Sequence, residues 1–398
     1  MLRKNLLALA TGALALATAV SASAQTPIKI GSVAPKTGAL AGGAVVTQWP
    51  NVELWAAQVN ERGGLNVGGE MRPVEVIEYD DKTNPGEHIK LAQRLATQDK
   101  VDFVVAPYGT GFNIAAAPVY GKFGYPMIAV SAITDKVEEL TGRYDNLFFT
   151  LGTTTAFVTG VRDILVEQRE AGNIDNRVAM VNVADAFGIE LADVARTMFT
   201  DAGFELVYDK SYPLGTPDLS PVMKGAKASN PTSFIAWSYP PDSFGLAQQA
   251  IIEDLDVSIY YSAVATSFPA FAGAYGSKIN NVLGAGGTNV DDPKIAEYRA
   301  AHEAVTGKVA DYWASANTYA SLQILEQAIE GADTTDRAVV TQYIKDNAFD
   351  TVMGTITFED NFSAKFWSVG QWQDGVFRGV KGTNVEGAVD VRLKDGWD

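Results

Sequence analysis

The chain has 398 residues, enough for two ordinary domains, and its 47% hydrophobic content is that of a globular protein. Its 31 Lys and Arg stand against 47 Asp and Glu, a net charge of −16, which repels nucleic acid and anionic membrane surfaces. There is no cysteine, which excludes disulfide staples, thiolate nucleophiles and cysteine-based zinc sites.

Residues 1–24 read as a secretory signal peptide. Arg3 and Lys4 are followed by an apolar run from Leu6 to Val20, then Ala22-Ser23-Ala24 ahead of cleavage before Gln25. The run is too short and alanine-rich for a membrane span of ~20 residues, and no cysteine at the cleavage point offers a lipid anchor. An exported chain without cysteine suits the bacterial periplasm, and the mature chain is expected to be soluble. Without Arg3 and Lys4 its charge becomes −18.

The mature chain alternates strand, loop and helix. Strands are predicted at 28–32, 74–79, 101–106 and 127–130, with helices at 43–60, from Asn84-Pro85 onward, and at 112–123. The pattern then starts again. Helices at 158–170, 189–202, 219–228 (capped by Asp218) and 244–254 alternate with strands at 177–183, 206–212, 233–237 and 258–261. From Lys294 to Asn347 the chain reads as mostly helical, and 354–377 as β-rich. This predicts an α/β fold of two Rossmann-like lobes with parallel sheets. No low-complexity linker divides them, so hinge strands are expected to cross from one to the other.

Catalysis has poor raw material. The two histidines, His88 and His302, sit in polar helical contexts and read as solvated helix residues. There is no HExxH, no GxSxG before a helix and no GxxxxGK[ST]. Asp80-Asp81, a conceivable Mg²⁺ pair, stands just before Asn84-Pro85 and reads as capping. No catalytic residue, cofactor or metal is therefore predicted. A secreted α/β enzyme using Asp80, Asp81 or Asp185 is the competing reading, and it lacks a base–nucleophile pair.

Binding has better material. In open parallel sheets ligands sit at the carboxyl ends of the strands, and here those ends carry glycines, small hydroxyls and aromatics. In VVAPYGTGFN an apolar run stops and Thr110 and Gly111 lead into a helix. Hydroxyls and bare N–H groups at a helix start hold an anion without Arg or Lys. Ser131, Ala132, Ile133 and Thr134 form a second such edge. Tyr108, Phe112, Phe187, Trp237 and Tyr239 are available to line the rest of a mostly apolar pocket.

The order of these motifs resembles the branched-chain amino-acid-binding proteins of ABC transporters, the type I periplasmic binding proteins. The carrying stretches are IKIGSVAPKTGALAGGA, VIEYDDKTNP, VVAPYGTGFNIAAAPV, PMIAVSAITD, VNVADAFGIELADVAR, DLSPVMKGAKASNP, YPPDSFGLAQQA, ASANTYASLQILEQAI and GTITFED, spread over the whole mature chain. The resemblance implies two lobes joined by three crossovers, 25–152 plus 284–354 and 153–283 plus 355–398, with the ligand between them. It implies no catalysis, a monomer, and delivery of a small-molecule ligand to a membrane permease and its ATPase. The same fold also serves as a sensor feeding a signalling partner.

By position, Thr110 matches a Ser/Thr that holds the ligand carboxylate, and Ala132 and Thr134 match positions gripping ammonium and carboxylate. Phe187 matches an aromatic cover from the other lobe, and Ser238 or Tyr239 matches a Tyr there. Where amino-acid binders carry an acidic residue for the ligand ammonium, this chain has Ala263 or Val264. A buried unpaired ammonium costs several kcal/mol. Either Asp185 or Asp242 substitutes, or the ligand is an amine-free aromatic or apolar acid or an amide.

Overall fold

The computed structural model describes residues 26–397; the signal-peptide reading lies outside them. The first sheet is parallel, in the order Val74–Asp80, Ile28–Ala34, Phe103–Val105. Met127–Ala129 and Leu147–Phe149 form a second parallel pair alongside. Ile28, Ile30, Val33 and Ala34 are all buried, as expected of a strand covered on both faces. The covering helices include Trp49–Glu61, Pro85–Arg94 and Thr110–Lys122.

The second sheet has seven strands. Five run parallel in the order Leu283–Ala285, Ile259–Ser262, Ser233–Trp237, Arg177–Val183, Glu205–Tyr212. The expected parallel core carries an antiparallel edge, where Phe366–Gln373, within the segment expected to be β-rich, and then Val376–Thr383 are added. Their pairing with each other has a local cause: Asp374-Gly375 join these two strands, both at positive φ, and a two-residue Asp-Gly turn favours a hairpin. Helices Thr154–Glu170, Ala186–Asp201, Ser220–Ala228 and Pro240–Glu253 cover this sheet.

The chain passes between the sheets near 150–154, 285–293 and 356–366. After the second passage, helices Pro293–Thr306, Ala314–Ala332 and Arg337–Asp346 return to the first lobe, where the first two of them pack on Trp49–Glu61. No helix among the described residues is long and apolar enough to cross a membrane.

Two helices differ from expectation for the same reason. The helix expected over 43–60 is broken into Ala41–Thr47 and Trp49–Glu61, because Pro50 lies in the first turn of the second piece and has no N–H to continue the ladder. The helix expected from 244 begins at Pro240, since Pro240-Pro241 supply a first turn that needs no donors.

His88 and His302 are not solvated. Both are buried. His302 Nδ1 lies 2.8 Å from the Lys308 carbonyl, and burial lowers its pKa. His88 Nδ1 lies 2.9 Å from an Asp81 oxygen, and neither side chain is exposed. The other Asp81 oxygen accepts from the Thr83 N–H. Asp80 accepts from the Lys36, Thr37 and Lys82 N–H groups. The Asp80-Asp81 pair thus organises loops, while the capping expected of it falls to Asn84, which accepts from the Glu87 N–H; among the described residues no cluster of His or acidic side chains could hold a metal. Replacing His88 by Ala leaves the Asp81 carboxylate buried with a single N–H donor. The expected cost is about 3–5 kcal/mol, read as a lowered urea midpoint, with part recovered in the His88→Ala/Asp81→Asn double variant.

Candidate functional site

The cavity between the lobes is built on a handover from strand to helix. Phe103–Val105 ends, the chain turns at Gly109, and helix Thr110–Lys122 begins. Gly109 has φ +94, a conformation that a side chain would strain. The loop is braced from the next strand end: the Gly109 N–H donates to Ser131 Oγ at 2.9 Å, and the Ser131 hydroxyl donates to the Pro107 carbonyl at 2.8 Å. Thr110 Oγ1 accepts from the Ile133 N–H at 3.1 Å, so its own proton reaches only the Ile133 carbonyl at 3.4 Å. The Thr110 and Gly111 N–H groups, first in the helix, find no acceptor among the described residues. Two N–H groups and one under-used hydroxyl therefore converge at a positive helix end.

Opposite this loop stand Phe187, Tyr239 and Val264, from three strand ends of the second sheet. The Phe187 and Tyr239 rings lie 4.9 Å apart, centroid to centroid. Trp313 and Ala314, at the start of helix Ala314–Ala332, close one side, and Val130 and Leu151 another. The space among these residues, counted with the part open to solvent, is about 390 Å³, of which about 30 Å³ admits the centre of a water molecule. None of the lining side chains carries a formal charge at neutral pH. A larger polar depression, between Phe123, Asp145 and Arg337, lies on the flank near the amino ends of the first lobe's strands, the wrong edge for a ligand in such sheets.

Of the residues singled out in the sequence, Tyr108, Thr110, Ser131, Phe187, Tyr239 and Val264 line this cavity together. Gly111 sits on the seam instead: a Cβ built on it would lie 3.6 Å from the Ala186 Cβ of the other lobe. Ala132 is buried in the first lobe's core. Trp237 is inside the second lobe, its indole N–H on the Met180 sulfur at 3.3 Å. Ser238 is fully buried and shares a 2.8 Å hydrogen bond with Ser243, whose hydroxyl also holds the Val264 carbonyl.

Thr134 has a different partner from the one expected. Its hydroxyl donates to the Glu190 carboxylate at 2.9 Å, which also accepts from the Asp135 N–H and the Thr154 hydroxyl. Glu190 belongs to helix Ala186–Asp201 of the second lobe, so Thr134 ties the lobes together.

Trp313, Ala314, Val130 and Leu151 are lining residues that sequence reasoning missed. The apolar stop at Asp311-Tyr312-Trp313 before a long helix was the available signal for the first two.

Neither candidate amine partner lines the cavity. Asp185 caps helix Ala186–Asp201, accepting from the Gly188 N–H at 2.9 Å. Burial raises its pKa in spite of that bond and of the Tyr239 hydroxyl nearby. Asp242 is almost fully buried behind Tyr239, accepting from the Tyr239 N–H at 3.3 Å. Burial first, and the Asp185 charge second, push its pKa up to about 6.

Because the folded protein holds the Asp242 proton more tightly than the unfolded chain, stability conferred at low pH is lost as pH rises from about 4 towards about 6. Asp242→Asn should remove that part of the slope. Urea unfolding at pH 3 and pH 7.5 checks this: wild type should lose stability relative to the variant by about 1.4 kcal/mol per unit of raised pKa.

Comparison with known proteins agrees with this fold. The family model described as periplasmic binding protein matches residues 27–375. A Pseudomonas aeruginosa protein named amino acid binding protein is 25% identical over 386 residues, covering 94% of this chain and 97% of that one. A branched-chain amino acid transporter substrate-binding protein from Streptococcus pneumoniae, solved with isoleucine, superposes with a TM-score of 0.77 at 21% identity, covering 93% and 100% of the two chains. A solute-binding protein of an R. palustris ABC transporter, solved with 4-hydroxybenzoate, gives 0.74 at 21% identity, covering 94% and 98%. At such identities the structural likenesses speak for the fold. These relatives are binding proteins and not enzymes.

Proposed function

The chain belongs to the periplasmic binding protein family, and we propose that it captures a small amine-free carboxylate with an aromatic or apolar body for an ABC importer. The observation that carries this reading is the lining of the interlobe cavity. It offers the Thr110 N–H and hydroxyl for an anion at one end, with the Gly111 N–H next to them at the helix start, and no charged side chain for a cation anywhere. A carboxylate at a helix start is stabilised without a counter-ion. An ammonium in the same space would lose its water and gain no charged partner, a cost of several kcal/mol. Phe187, Tyr239 and Trp313 supply flat apolar walls suited to a ring. That solved relatives of this fold hold isoleucine in one case and 4-hydroxybenzoate in another supports the ligand size and leaves the amine to the cavity's chemistry.

Membership of the family supports a wider reading. The protein acts in the periplasm, exported by the signal peptide at residues 1–24. It works as a monomer and hands its ligand to a permease and ATPase. The lobes that close on the ligand are 25–152 plus 284–354 and 153–283 plus 355–398. A role as the sensor of a signalling partner would use the same cavity.

Two measurements test the reading. Protein unfolded and refolded to strip carried ligand is screened by thermal shift against leucine, isoleucine, valine and phenylalanine beside benzoate, hydroxybenzoates and phenylacetate. An acid at 100 times its dissociation constant should add about 2.7 kcal/mol, and the amino acids should add little. A larger shift with an amino acid overturns the proposal and makes Asp185 and Asp242 the residues to mutate. Separately, Thr110→Ala should weaken binding of the acid by roughly 1–3 kcal/mol, while Thr110→Ser retains it. Equal affinity of all three proteins would remove the anion from this helix end.

A further inference from the structure

Trp313 is held in place from its backbone. Its N–H donates to an Asp311 oxygen at 2.6 Å, and the other Asp311 oxygen accepts from the Ser315 N–H and hydroxyl. Its ring lies over Gly286: a Cβ there would come within 2.0 Å of the indole carbons. The Phe157 ring is tilted against it at 6.0 Å. The orientation of the indole is therefore fixed by an Asp cap, a glycine and an aromatic neighbour.

One atom of that ring is unaccounted for. Trp49, Trp55, Trp237, Trp372 and Trp397 each donate the indole N–H to a protein acceptor. The Trp313 Nε1 is buried and, among the described residues, has no acceptor. Indole nitrogen is a donor only, and a buried donor without a partner is a cost that native proteins seldom leave standing. The side chain that carries it lines the interlobe cavity.

We infer that Trp313 is a specificity-determining residue and that its indole N–H is satisfied by the ligand. The ligand then has two polar ends: a carboxylate at the start of helix Thr110–Lys122, and a second oxygen (hydroxyl, keto or ether) on its ring or chain that accepts from Trp313. This rests on the proposed amine-free acid and narrows it to oxygen-substituted members such as hydroxylated aromatic acids. A site built to pair with such an oxygen discriminates against the analogue lacking it more strongly than an apolar pocket discriminates by size.

The test uses refolded, ligand-free protein and matched acids, benzoate with 4-hydroxybenzoate and phenylacetate with 4-hydroxyphenylacetate, titrated by calorimetry. Wild type should favour the oxygenated member of at least one pair by about tenfold. Trp313→Phe should reduce that preference to within about threefold by weakening the oxygenated acid alone. Equal weakening of both members, or a wild type that does not prefer the oxygenated acid, overturns the inference while leaving the amine-free reading intact. Binding of amino acids alone overturns both.

Should Trp313→Phe fail to fold, the ¹⁵N-indole spectrum of wild type decides. One tryptophan N–H resonance should move downfield with the oxygenated acid and stay in place with its unsubstituted partner. No such differential movement overturns the inference.

Discussion

The structure depends on an apolar seam between two carboxyl edges. Each sheet alone ends in loops of glycine, hydroxyl and aromatic residues, and neither edge forms a pocket by itself. Three passages of the chain turn the edges towards one another. Ala34, Leu40, Ala44, Tyr108 and Phe112 of the first lobe then join Phe187, Tyr239 and Val264 of the second in one continuous core. Burial of that surface is favourable per unit area whatever lies between the edges. What lies between them is decided by the few polar groups left over.

Those polar groups are mostly spoken for. Ser131 and Ser238 hold loops, Thr134 holds Glu190, and Asp185 caps a helix. The groups left are the two N–H donors at the start of helix Thr110–Lys122, part of the Thr110 hydroxyl, the Trp313 indole and the Tyr108 hydroxyl, which is buried without a partner among the described residues. All can donate, and none is a carboxylate. A cavity that offers donors and hides its carboxylates behind Tyr239 favours an anion over a zwitterion, since burying one unpaired charge costs more than the hydrogen bonds to the other return.

Much of this was legible in the sequence where a short-range signal exists. The strand over Arg177–Val183 and that over Ser233–Trp237 fall where their apolar runs stop, and Asp218 accepts from the Ser220 N–H at the head of its helix, although Leu219 holds the cap position. Thr110 was recognisable because an apolar strand, a glycine turn and a helix follow one another directly. Long-range partners left no such mark. Thr134 reads as a ligand hydroxyl until Glu190, 56 residues later, is brought against it. His88 looks solvated in a polar stretch until helix Pro85–Arg94 turns it inward onto Asp81. Trp313 stands just before helix Ala314–Ala332, which follows another helix and not a strand, so no strand-end rule points to it. The extra antiparallel strands were hidden by the same limit, since pairing of Phe366–Gln373 with Leu283–Ala285 joins residues far apart in the chain.

The close approach of Gly111 to Ala186 has a use of its own. The two residues belong to opposite lobes, and Ala186 is exposed on the outside of the seam. The chain has no cysteine, so a single thiol placed at Ala186 is the sole attachment point for an environment-sensitive dye. Such a dye would sit in water when the lobes part and against the Gly111 backbone when they meet. The protein would then become an optical gauge whose colour tracks its ligand.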